Sequence, residues 1–220
     1  AVASLGYPEN PVCFKPSRHM HGGGRGFRIL NANTKPEDIL FQKRPESPYI
    51  SYDEAMRIIE RMKDFPELLV MEYLPGEEYS VYALCEDGKA LYIVPNLRQR
   101  LMLMYSFEAE VRNNQEIVKL VKSIIDVFGF DYNVNLQIKY SSSGVPKVVE
   151  INPRIAGTII LPVAAGVNLP YLGIKLALKE EIPLNLHIRY GTKMLRFWKE
   201  AFLYDTTIFQ YKPRPKMATI

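Results

Sequence analysis

The sequence predicts an α+β protein. Strand-like and helix-like segments are mixed without strict alternation. Asp87-Gly88 between two apolar runs signals a tight antiparallel hairpin, and a second hairpin pattern surrounds Ser143-Gly144. A chain of 220 residues suits one large domain or two small lobes.

The elements follow in order. Residues 1–8 read as a helix end and a turn, and the chain opens on Ala1 rather than Met, so a longer parent chain is expected. Residues 11–16 form a short strand stopped by Pro16. A glycine cluster, His21-Gly22-Gly23-Gly24-Arg25-Gly26, then joins it to a strand at 27–30. Residues 31–51 are polar and proline-rich, with a helical patch near 38–43. Ser51 caps a helix over 52–63, with Glu54 completing the capping box. Residues 68–73 form a strand that Leu74-Pro75-Gly76 breaks as a hinge. Strands at 79–85 and 90–94 flank Asp87-Gly88, and extended chain continues over 98–105. An amphipathic helix spans 117–128 and ends at Gly129. The second hairpin pairs 133–140 with 145–151. Helical patches near 159–165 and 171–179 precede a strand-like end at 193–210.

Composition narrows the function classes. Hydrophobic residues make up 47% of the chain, enough for a sizeable core. A net charge of +4 without a basic block argues against a nucleic-acid partner. No apolar run reaches membrane-spanning length, and the longest, 158–167, is broken by Pro162 and Gly166. No signal peptide is visible, and no membrane partner is expected. Cys13 and Cys85 match no metal or redox spacing, which fits a reducing, cytoplasmic setting with Cys13 as inert core.

The chemistry concentrates in residues 133–154. Asn133, Asn135, Gln137 and Lys139 alternate onto one strand face, as do Glu150 and Asn152 on the returning strand. A two-residue loop at Ser143-Gly144 would set Gln137 opposite Glu150 and Asn135 opposite Asn152. One carboxylate among amide oxygens suits Mg²⁺, which shares phosphate ligands; a solvated polar face is the alternative. Arg154 follows directly and is placed to steady a transferring phosphoryl group. Lys15 beside the glycine cluster offers a charge and close backbone approach to phosphates, although the spacing matches no Walker or dinucleotide loop. Around the hinge, Glu72 can accept from an adenine amino group and Glu78 from ribose hydroxyls.

With Leu5-Gly6-Tyr7-Pro8, Phe14-Lys15-Pro16-Ser17, Gly24-Arg25-Gly26, Glu72-Tyr73-Leu74-Pro75-Gly76-Glu77-Glu78-Tyr79 and Glu150-Ile151-Asn152-Pro153-Arg154 in this order, the chain resembles the ATP-grasp superfamily. Within it the pattern is most similar to the carbamoyl-phosphate-synthase large-chain group, which places glutamine where Gln137 stands and other members place a carboxylate. The resemblance implies two α+β lobes with mostly antiparallel sheets sandwiching the nucleotide. Residues 1–74 would be the remainder of the first lobe and 75–220 the second. It implies Lys15 on the α/β phosphates and Gly22, Gly23, Gly24, Arg25 and Gly26 over the triphosphate. Glu72 with the backbone of Tyr73 and Leu74 would hold adenine, and Glu78 the ribose. Gln137, Glu150 and Asn152 would ligate Mg²⁺, with Mn²⁺ as a substitute, and Arg154 would stabilise the transition state. Arg98 and Arg100, on one strand face by spacing, resemble basic residues near the acceptor.

The implied activity is ATP-dependent ligation: a carboxylate becomes an acyl phosphate and an amine displaces the phosphate. ATP and a small carboxylate or amine acceptor are the expected partners, and the pattern is compatible with a homodimer. A non-catalytic ATP-binding module, or a fragment working with a partner chain, is the alternative.

Overall fold

The structure, a computed structural model, describes residues 1–17, 26–34, 48–64, 66–102, 105–199, 201–204 and 207–209. The glycines Gly22, Gly23 and Gly24, Arg25 and the helical patch near 38–43 lie outside the described residues.

Two sheets form the framework of the described residues. The first contains β1 (Val12–Pro16), β2 (Arg28–Leu30), β3 (Tyr49–Ile50) and β4 (Leu68–Glu72) in the order β3-β2-β1-β4. β1 runs antiparallel to both neighbours, and β2 pairs with β3 in parallel. Helix α1 (Tyr52–Glu60) is capped as expected, the Ser51 hydroxyl accepting from the Glu54 amide at 3.2 Å. It ends before residue 63, where the Arg61 amide turns back to the Ile58 carbonyl. Ala55 of α1 packs with Val12 and Leu30 in a small core.

The second sheet is larger. Its strands are β5 (Glu78–Glu86), β6 (Lys89–Met102), β7 (Tyr105–Val111), β8 (Tyr132–Tyr140), β9 (Pro146–Asn152) and β10 (Lys193–Leu195). Their order is β10-β7-β6-β5-β8-β9, antiparallel throughout. Asp87 and Gly88 both have positive φ, 49° and 71°, which gives the right-twisting two-residue hairpin that Asp-Gly favours. Helix α2 (Gln115–Phe128) starts at the Asn114 cap and ends on Gly129 at φ 67°. Short helices α3 (Ile160–Ala164) and α4 (Leu169–Ala177) follow, and a final hairpin pairs β11 (Phe202–Tyr204) with β12 (Thr207–Phe209).

The second sheet has two unlike faces. Alternation sends Val81, Ala83, Leu136 and Ile138 to one side, where they pack on Ile117, Val121 and Ile125 of α2. The other side is divided. Tyr82, Leu84 and Val94 lie under α3 and α4, against Leu161, Leu169 and Leu172. The Tyr82 hydroxyl anchors this cover, 2.6 Å from the Thr158 hydroxyl and accepting from the Thr158 amide at 3.1 Å. The remainder of that side faces the first sheet.

The β8–β9 register departs from expectation twice, and the two departures cancel. The loop has three residues, closed by the Ser141 amide on the Val145 carbonyl with Gly144 at φ 77°. This slips the pairing by one, so that Lys139 faces Lys147 and Ile138 faces Val148. A β-bulge at Val149 then slips it back. Gln137 consequently faces Glu150, and Asn135 faces Asn152.

Candidate functional site

A cleft of about 510 Å³ opens between the two sheets, within the size range of nucleotide-sized ligand sites. Cys13 and Lys15 of β1 and Ile29 of β2 line it from the first sheet. Strand alternation turns Phe14 and Pro16 to the opposite groove. Glu72, Tyr73 and Leu74 line the cleft where the chain passes between sheets, and Glu78, Arg98, Gln137, Lys139, Lys147 and Glu150 line the second sheet's side.

Most of the sequence-derived candidates among the described residues therefore converge. Lys15, Glu72, Tyr73, Leu74, Glu78, Arg98, Gln137 and Glu150 share one cavity wall. Gln137 and Glu150 stand directly opposite each other, and neither side chain makes a hydrogen bond or ion pair among the described residues. A carboxylate and an amide oxygen left without donors in a cleft are an arrangement that a hard cation with phosphate ligands satisfies.

The other carboxylates are already neutralised. Glu78 forms an ion pair with Arg98 and lies 3.9 Å from the Lys139 ammonium. Arg98, 9% exposed at its side chain, also donates to the Ser106 hydroxyl at 2.9 Å. Glu72 of the first sheet pairs with Lys147 of the second. The cleft thus presents Lys15, Arg98, Lys139 and Lys147 against three glutamates, an excess of positive charge that favours a polyanion.

The hinge is pinned rather than loose. The Gly76 amide donates to the Tyr140 carbonyl at 2.9 Å, and the Tyr140 amide donates to the Glu77 carbonyl at 3.0 Å. A Cβ on Gly76 would sit 2.7 Å from the Tyr140 Cβ and 2.8 Å from its carbonyl oxygen. The Tyr73 hydroxyl lies 3.5 Å from that of Tyr49, and the Lys139 ammonium sits 5.7 Å from the Tyr73 ring centroid. Burial, with help from Tyr49, pushes the Tyr73 hydroxyl up to about 12, so it stays protonated.

Several candidates fall elsewhere. Arg98 and Arg100 do not keep the shared face that their spacing suggests. The pairing slips between them, Arg98 opposing Ala109 and Arg100 opposing Glu108, so Gln99 forms a bulge. Arg98 lines the cleft, while Arg100 is exposed and outside its wall. Asn152 and Arg154 are joined, the guanidinium donating to the Asn152 side-chain oxygen at 3.3 Å, but neither belongs to the cleft wall. Gly26 has φ 80° and borders the opposite groove, where a Cβ would meet the Pro16 ring at 2.8 Å. Cys13, expected as inert core, is a 4% exposed part of the cleft wall, and burial pushes its thiol up.

The polar stripe of β8 is only half a site. Asn135 is fully buried and donates to the Ser80 hydroxyl at 2.9 Å and the Val81 carbonyl at 3.1 Å. Asn133 packs against α4, where a Cβ on Gly173 would come within 2.2 Å of its amide nitrogen. Lys139, which alternation sets on the metal-patch face as either a phosphate contact or a solvated side chain, lines the cleft, and so does Lys147, for which the sequence carries no signal. Alternation puts Lys139 on the cleft face, whereas Lys147 reaches it through the three-residue loop that sets it opposite Lys139.

The fold has solved counterparts. N5-carboxyaminoimidazole synthetase from Staphylococcus aureus, complexed with ADP, superposes with a TM-score of 0.58 at 15% identity, covering 86% of this chain and 46% of that one. The biotin carboxylase domain of the Hydrogenobacter thermophilus 2-oxoglutarate carboxylase, solved with MgADP and bicarbonate, gives 0.58 at 17% identity, covering 87% and 41%. The L-amino acid ligase from Bacillus licheniformis gives 0.50 at 17% identity, covering 81% and 41%. The chain thus spans less than half the length of these structures. No curated protein matches its sequence. The family model described as "ATP-grasp in the biosynthetic pathway with Ter operon" matches residues 64–197, which hold β4, the whole second sheet and helices α2 to α4, and the chain belongs to the ATP-grasp family.

Proposed function

We propose that the cleft binds Mg·ATP and that the protein is a ligase, activating a carboxylate as an acyl phosphate for attack by an amine. The carrying observation is the Gln137–Glu150 pair, unpartnered among the described residues and facing a cleft that Lys15 lines from the other sheet. The polyphosphate supplies the negative charge that the four cleft cations favour. Lobes meeting at Leu74-Pro75-Gly76, residues 1–74 and 75–220, fit strands that end at Glu72 and resume at Glu78.

The residues divide the work. Lys15 holds the α/β phosphates as a point charge. Glu72 and the Tyr73–Leu74 backbone hold the base, and Glu78 the ribose hydroxyls. Gln137 and Glu150, with Asn152 from the strand end, hold Mg²⁺. When bound, the ion neutralises charge on the transferring phosphoryl group. Arg98, held by Glu78 and Ser106, sets its positive charge on the acceptor side of the cleft. Arg154 stabilises phosphoryl transfer once it turns from Asn152. A carboxylate oxygen attacks the γ-phosphorus and ADP leaves; the amine nitrogen then attacks the acyl carbon and phosphate leaves. Glutamine at position 137 and the Glu150-Ile151-Asn152-Pro153-Arg154 strand end support the carbamoyl-phosphate-synthase-like form of this chemistry.

The test is ADP release in Mg²⁺ with a panel of carboxylates and amines, comparing wild type with Glu150→Gln. Acceptor-dependent ADP release, lost in the variant while its unfolding midpoint holds, is expected. Tight ATP binding without ADP release under any acceptor pair would instead identify a binding module.

A further inference from the structure

Lys147 and Glu150 share a face because of a backbone irregularity. In a regular strand, residues three apart point to opposite faces. The bulge at Val149 puts Lys147 and Glu150 on the same cleft wall. There Lys147 directly opposes Lys139, an unfavourable pairing of like charges. Each lysine is offset by its own carboxylate, Glu78 for Lys139 and Glu72 for Lys147. The second of these pairs crosses from sheet to sheet at the hinge end of the cleft.

This pair places a donor beside an acceptor. Lys147 engages one oxygen of Glu72, Oε2, and an ammonium has three N–H donors. Both side chains remain partly exposed, 44% and 40%, so each has room for a further partner. Adenine presents the complementary set on one edge: an amino donor at N6 next to an acceptor at N7. Guanine presents two acceptors there, O6 and N7, and its O6 would face the Glu72 carboxylate.

We propose that Glu72 and Lys147 together read the edge of the nucleotide base, Glu72 accepting from the 6-amino group and Lys147 donating to N7. This rests on the ATP reading above and names a specificity residue for it. It also explains why the strand carries a bulge three residues before its end. Without the extra residue, Lys147 and Glu150 would lie on opposite faces of the strand.

The experiment is calorimetric titration of the protein in Mg²⁺ with ATP, with 7-deaza-ATP, in which N7 is replaced by C–H, and with GTP. Wild type is expected to bind 7-deaza-ATP about tenfold more weakly than ATP, the loss of one hydrogen bond to a charged donor, and GTP more weakly still. Lys147→Met should bind ATP with the affinity that wild type has for 7-deaza-ATP and no longer distinguish the two. Lys147→Arg should restore the distinction, which a merely structural lysine would not require. Equal wild-type affinity for ATP and 7-deaza-ATP, or full discrimination surviving in Lys147→Met, overturns the proposal alone. Wild-type protein that binds no adenine nucleotide overturns the ATP reading and this proposal with it.

Discussion

Replacing Gly76 by alanine tests whether the link between the sheets is a pinned joint. The added Cβ would lie 2.7 Å from the Tyr140 Cβ, 2.8 Å from its carbonyl oxygen and 3.2 Å from its carbonyl carbon. Two of these three are backbone atoms of β8, a strand held by β5 and β9, so no flexible side chain can swing away. Either the Gly76–Tyr140 hydrogen bond opens or β8 shifts. Overpacking of this kind costs about 1–3 kcal/mol, and an opened backbone bond about 1 kcal/mol. A loss of about 2 kcal/mol lowers Tm by about 4–8 °C in a chain of this size. Glu72 and Glu78 flank the joint, so ADP affinity should fall as well. Thermal unfolding followed by ADP titration measures both. Gly157→Ala is the control, because a Cβ there meets nothing within 4 Å and the backbone carries no positive φ. A Gly76→Ala protein with the wild-type Tm and ADP affinity would refute the clash argument and make the link a free hinge.

Other outcomes follow from the same contacts. Glu78→Ala should weaken ATP far more than pyrophosphate, since it removes a ribose acceptor but no phosphate contact, and it should lower Tm by removing the carboxylate ion-paired with the 9% exposed Arg98 side chain; equal losses for the two ligands would remove the ribose role. Tyr82→Phe should cost about 1–3 kcal/mol in urea unfolding, because the Thr158 amide and hydroxyl lose a buried partner. Burial pushes the Cys85 thiol up from 9.0 to about 11. The folded state therefore keeps a proton that the unfolded chain releases, and this contribution to stability is lost as pH rises through that window. The urea midpoint should fall between about pH 9 and about pH 11, and fall less in Cys85→Ala.

The sequence made the alternating faces legible because alternation is a backbone property. Asn133, Asn135, Gln137 and Lys139 do share a side, and the Asp87-Gly88 turn forms as its dihedral demands require. The cap at Ser51 and the stop at Gly129 were readable for the same local reason. What alternation cannot show is where it is interrupted. The bulge at Val149 restores the Gln137–Glu150 pairing after a loop one residue longer than a two-residue turn, and that longer loop is what sets Lys147 opposite Lys139 in the cleft. The bulge at Gln99 separated Arg100 from Arg98. Nor does a polar stripe reveal what will cover it. Asn135 is buried and Asn133 half-buried because α3 and α4 fold over half of that face, an outcome set by Leu161, Leu169 and Gly173 tens of residues away.

The central claim is that Gln137 and Glu150 hold a divalent cation against a nucleotide that Lys15 contacts from the other sheet. A crystal structure with Mn·ADP, located by the anomalous signal of manganese, tests it most directly. The account predicts a metal peak about 2.0–2.3 Å from oxygens of both Glu150 and Gln137 and bridging the ADP phosphates, with Lys15 at those phosphates. A nucleotide bound outside the cleft, or a metal peak touching neither side chain, would contradict it.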